Sequence, residues 1–129
     1  MARLDATFLA LAATYLVVGM FFGMGMGMAQ SFAYVSVHAH INLVGWTSHG
    51  IFGLAYRSWP ELAQSRLAIA HFWLFVPSAL LFMLGVYLTA SADSHALVAH
   101  ALLSLAALGL VLGTSIFCVM AWRMRGEPG

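Results

Sequence analysis

The sequence predicts an all-α, polytopic membrane protein, a four-transmembrane-helix bundle with both termini on the same side. Three observations lead there. Of 129 residues, 63% are hydrophobic and 7% charged, far too little charge to coat a soluble domain of this size. The apolar residues gather into four runs, each near the roughly 20 residues that a helix needs to cross a bilayer. The connectors between the runs are short, which makes consecutive helices antiparallel neighbours in a single domain over residues 1–129.

The first run extends from about Ala6 to Met28. It is read as a retained helix rather than a cleaved leader. The apolar stretch outlasts an h-region, and no small-x-small site follows it. Gly19, Gly23, Gly25 and Gly27 interleave there with Met20, Met24, Met26 and Met28. Glycines four apart let helices approach closely in lipid. The methionines are read as apolar packing, with soft ligation of copper(I) as the alternative.

The second run covers about Val37 to Tyr56, the third about Leu67 to Thr89, and the fourth about Leu97 to Trp122. Gln30–Ser36, Arg57–Arg66 and Ala90–Ser94 connect them. Ser58-Trp59-Pro60-Glu61 reads as a turn, because proline disfavours helix in the residue before it. The single cysteine, Cys118, has no internal disulfide partner and reads as a small packing residue. The last residues, Gly126 to Gly129, read as a frayed end.

All five arginines (Arg3, Arg57, Arg66, Arg123 and Arg125) fall on one side of a four-helix topology, and there is no lysine. The other side carries Asp93. The positive-inside rule then sets both termini in the cytoplasm, and the expected location is an inner membrane of bacterial type. A net charge of +1 gives no reason to expect a nucleic-acid partner; the lipid bilayer is the expected surroundings. Nucleotide-binding glycine loops, a CxxC pair and a Ser-His-Asp arrangement are missing from the sequence, so hydrolytic chemistry has little support.

The chemistry lies in the six histidines. An ionisable group inside a membrane is costly and marks function by default. His38, His40, His95 and His100 fall near the outer boundary, while His49 and His71 lie deeper. His38 and His40 open the second run. At about 100° per residue they point about 200° apart, so they cannot ligate one metal ion together from a regular helix. Each can serve a different site, one on either side, which suits haem iron taking axial imidazoles from flanking helices. This is preferred to two histidines wetted by headgroup water.

His49 lies eleven residues after His38, about 20° from it on a regular helix. Asn42, Gly45, Phe52 and Tyr56 fall near the same face, a polar seam that should face protein rather than lipid. His71 opens the third run at a similar depth. The two deep histidines read as a hydrogen-bonded couple or proton relay, with a second ligand pair as the alternative. His95, near Asp93, reads as a solvated loop residue. With Asp93, His95 and His100 could instead form an outer metal site or tune nearby haem propionates; for His100 that and a solvated helix-mouth residue stay equally open.

The stretch His38-Ala39-His40-Ile41-Asn42-Leu43-Val44-Gly45-Trp46, continuing through Gly53-Leu54-Ala55-Tyr56 to Trp59-Pro60-Glu61, resembles the catalytic subunit of haem-copper oxidases and nitric oxide reductases. It looks most like the second helix there, where a histidine before an Asn-Leu-type run ligates the low-spin haem. It is also similar to that subunit's tenth helix, whose His-x-His pair serves two haems. The family's subunit has twelve helices in three groups of four, and this chain has one group. The family's histidine-tyrosine helix and adjacent histidine pair, which hold copper, have no counterpart in this sequence.

The resemblance implies a b-type haem protein bound through His38 and His40. It would act in electron transfer or in oxygen or nitric oxide chemistry, with an electron donor protein or quinol as partner. The size ratio suggests a homotrimer that rebuilds a ring of twelve helices, with one interface repeated three times. His40 of one chain and His38 of the next would then share each haem. Copper handling, through the methionines and the outer histidines, is the alternative from another class. A third reading is a non-catalytic sensor or assembly subunit that binds haem without turning over.

Overall fold

The computed structural model of the chain describes residues 3–91 and 96–124. Among them every regular element is helical. Helix α1 (Leu4–Ala29) is built almost wholly of alanine, leucine, valine, methionine, phenylalanine and glycine. It stops where Gln30 turns left-handed, at φ 48°. The Ser31 N–H then bonds the Met26 carbonyl at 3.2 Å and the Gln30 N–H the Gly27 carbonyl at 3.3 Å. This closure satisfies the last carbonyls of a helix and normally uses glycine.

The second run is helical from Val35 to Ser58 but not uniform. It consists of α2 (Val35–His40), a π-helical stretch (Ile41–Ser48) and α3 (His49–Ser58). The junction residues Ile41 and His49 keep right-handed helical dihedrals, so the chain does not break there. A π-helix closes its hydrogen bonds five residues apart, which makes its turns wider. Three side chains reach back over that same interval. Thr47 Oγ1 donates to the Asn42 carbonyl at 3.0 Å, Ser48 Oγ to Leu43 at 2.9 Å and His49 Nδ1 to Val44 at 3.0 Å. The widening was not foreseen from the sequence.

Trp59 is extended (φ −127°, ψ 83°) ahead of Pro60, the conformation that proline imposes on its predecessor. Pro60 opens the short α4 (Pro60–Gln64), a position that suits it because its missing N–H would be unpaired there anyway. The expected turn is therefore a one-residue break followed by a helical turn. Ser65 caps α5 (Arg66–Ala90), its Oγ accepting the Ala68 N–H at 3.1 Å. Helix α6 (Ala96–Met124) is the last described element. Asp93, His95, Arg125 and the Gly126–Gly129 end lie outside the described residues.

Among the described residues three helices are long and apolar enough to cross a membrane: α1, α5 and α6, of 26, 25 and 29 residues. At 1.5 Å per residue they run about 39, 38 and 44 Å, against a hydrocarbon core of about 30 Å. Their outer faces carry Val17, Phe21, Trp73, Leu80, Leu105 and Val111 in the open. Exposed apolar surface on this scale is foreign to soluble monomers and consistent with an integral membrane protein. Cys118 stands exposed on α6 rather than in the packing.

The helices form two pairs, α1 against the second run and α5 against α6. Small residues set both approaches. A Cβ placed on Gly45 would lie 2.6 Å from the Tyr15 ring, and one on Gly85 would lie 2.9 Å from the Leu103 backbone. A layer of rings joins the pairs: Phe52 meets Phe75 at 4.9 Å and Phe117 at 4.6 Å between centroids. At one end Asp5 reaches Arg57 at 3.3 Å and Arg3 at 3.6 Å. Arg123 and Glu61 border a groove at the same end, between α4 and the close of α6.

Candidate functional site

The described histidines fall into two tiers. The outer tier comprises His38 and His40 on α2 and His100 near the start of α6. His40 Nδ1 donates to the Ser36 carbonyl one turn back at 2.7 Å, which leaves Nε2 as its remaining lone pair. Its ring meets Phe82 of α5 edge-on at 5.1 Å. His100 is held the same way, with Nδ1 on the Ala96 carbonyl at 2.6 Å. An imidazole tied by Nδ1 to a carbonyl has its tautomer fixed and its Nε2 ready for a metal.

His38 is turned elsewhere. Its ring lies against Gly23 of α1, where an added Cβ would come within 2.8 Å of Cε1. Asn42 Nδ2 donates to the His38 carbonyl at 2.8 Å and reaches His38 Nε2 only at 3.5 Å, too long to hold the ring. Its Nδ1 is buried and has no hydrogen-bond partner. The two α2 histidines thus face different helices, α1 and α5. A regular α-helix at that point requires this divergence, and α2 is regular.

The inner tier is His49 and His71, both fully buried. His71 of α5 shares a 2.8 Å hydrogen bond with the Tyr56 hydroxyl. The ring of Phe8 stacks on His71 at 5.3 Å and lies 5.6 Å from His49. Phe75 also touches both, at 5.2 Å from His49 and 5.6 Å from His71. Nε2 of each is buried without a partner.

The seam expected along the second run packs on α1 for its whole length. His38 faces Gly23, Asn42 faces Gly19, Gly45 faces Tyr15, and Gly53 faces Leu9; His49 and Tyr56 meet Phe8. Of the first-helix glycines, Gly19 and Gly23 receive these side chains, whereas Gly25 and Gly27 have nothing near them. Met24 and Met28 are exposed. Among the described residues no group of three histidine, cysteine or acidic side chains converges as a metal site.

Sequence reasoning placed Tyr56 on the seam but missed it as the partner of His71. The available signal was antiparallel pairing, which sets the end of one run beside the start of the next. No protein-family model matches this sequence, no curated protein matches it, and no solved structure matches its fold.

Proposed function

We propose that this chain is a membrane haem-binding subunit of electron transfer or of oxygen or nitric oxide chemistry, with His38 and His40 as ligands of b-type haem. The observation that carries the reading is the divergence of these two rings toward α1 and α5. One chain cannot direct both to one iron. A symmetric assembly can, by pairing His40 of one copy with His38 of another, and a homotrimer is the assembly proposed.

The donor set fits haem. His40 has its Nδ1 committed to a carbonyl, and His38 holds a buried nitrogen without a partner. Bound there, haem would supply one-electron chemistry. The chain's own residues would fix imidazole orientation: Ser36 through its carbonyl for His40, and the Gly23 notch for His38. The second run, Val35 to Ser58, is proposed as a fourth membrane span of about 35 Å. Both termini are then proposed to lie on the cytoplasmic side with the arginines.

The test is an optical spectrum of the purified protein, oxidised and dithionite-reduced, together with its subunit mass. A six-coordinate b-type spectrum in an oligomer is expected, lost or altered in both His38→Ala and His40→Ala. Unchanged spectra in both variants would refute the ligand assignment. A pure monomer that retains bis-histidine haem would sink the shared-interface arrangement.

A further inference from the structure

The haem reading leaves the inner tier without a task. His49 and His71 are 0% exposed and Tyr56 is 1% exposed, and their walls are Phe8, Phe52, Phe75 and Phe117. Packing alone does not call for three polar rings here, since phenylalanine would fill the same space without unpaired nitrogens. Arg57, next to Tyr56 in sequence, pairs with Asp5 outside the cluster. Tyr15 is the remaining titratable neighbour, its ring 5.1 Å from His49.

The hydrogen positions follow from the partners. A carbonyl only accepts, so the contact to Val44 puts the hydrogen of His49 on Nδ1. Neutral His49 therefore presents a bare lone pair at Nε2. A buried phenol must donate its hydrogen, and the one acceptor it meets is His71 Nδ1. That assigns the hydrogen of His71 to Nε2. The two unpartnered atoms are thus complementary, a donor on His71 and an acceptor on His49. Both rings rest on Phe8 and Phe75.

We infer that Tyr56, His71 and His49 form a proton relay through the inner part of the bundle. A proton arriving at the Tyr56 oxygen displaces the phenolic proton onto His71 Nδ1. The proton on His71 Nε2 passes to His49 Nε2 through one bridging water. His49 becomes an imidazolium whose Nδ1–H stays on the Val44 carbonyl. One proton enters, one arrives, and no electron moves. His71 ends in its other tautomer, with its hydrogen on Nδ1.

The experiment is nitrogen-15 magnetic resonance of the full chain in lipid nanodiscs, with histidine labelled in the ring. Dithionite is present so that any six-coordinate, bis-histidine haem iron is diamagnetic. The wild type should show His49 protonated at Nδ1 and His71 at Nε2. Tyr56→Phe, which keeps the ring and removes only the hydroxyl, should shift the His71 signals and the His49 Nε2 signal together. A shift confined to His71 would overturn the relay and leave an isolated Tyr–His bond. So would a wild-type His71 protonated at Nδ1. If the variant does not fold, exchange of the wild-type ring protons into deuterated buffer decides. Common loss from both histidines supports the relay, and independent rates overturn it. The readout is the same with or without haem, so its failure and that of the haem proposal are separable.

Discussion

His40 and His100 of the outer tier and His71 of the inner tier are held by opposite means. In the outer tier, His40 and His100 are each fastened by their own helix, through Nδ1 to a carbonyl one turn back. Such a bond is local, survives changes in the neighbours, and leaves the far nitrogen available. In the inner tier His49 is also tied by Nδ1 to a carbonyl of its own run, but His71 depends on Tyr56 from another helix and is enclosed by phenylalanines from α1, α3, α5 and α6. The geometry of His40 and His100 is written into a few consecutive residues. The geometry of His71 exists only when both helix pairs are assembled. A ligand can therefore be presented at one end while the other end serves as the clasp of the fold.

The contrast makes stability predictions of graded size. Phe8→Ala should be the most damaging, because this fully buried ring touches His49, Phe52, Tyr56, His71 and Phe72. A loss of about 3 kcal/mol is expected, read as a lower midpoint of thermal unfolding in detergent. Retention of the wild-type midpoint would mean that the ring layer does not join the helix pairs. Gly45→Ala comes next, at about 2 kcal/mol, since its Cβ would meet the Tyr15 ring. Gly27→Ala, in open space on α1, should instead gain up to about 1 kcal/mol from helix propensity. Equal effects at the two glycines would erase the distinction between packed and free stretches of the α1 seam. The smallest effect belongs to Gln30→Gly. It relieves a left-handed residue and should raise the midpoint slightly, by about 1 kcal/mol or less.

The same division explains what the sequence disclosed. The apolar runs of α1, α5 and α6 were legible because each signal is confined to its own residues, and the structure extends each run only slightly at its ends. The opposed directions of His38 and His40 were legible from helical geometry alone. The seam through Asn42, Gly45 and Tyr56 was legible from spacings of three and four. The Tyr56–His71 bond was not, because its two ends are set by how separate helices pack. The π-helical stretch was hidden for a related reason. Threonine, serine and histidine that bond carbonyls five residues back look no different in sequence from those that bond four back.

That wide stretch has a consequence for the histidines on either side of it. It sits between His40 and His49 and fixes the rotational phase of one tier against the other, as a shim fixes the angle between two gears. Removing one residue from Ile41–Ser48 would turn everything after it by somewhat less than the step of about 100° of a regular α-helix. His49 and Tyr56 would swing away from Phe8, while His38 and His40 kept their bearings.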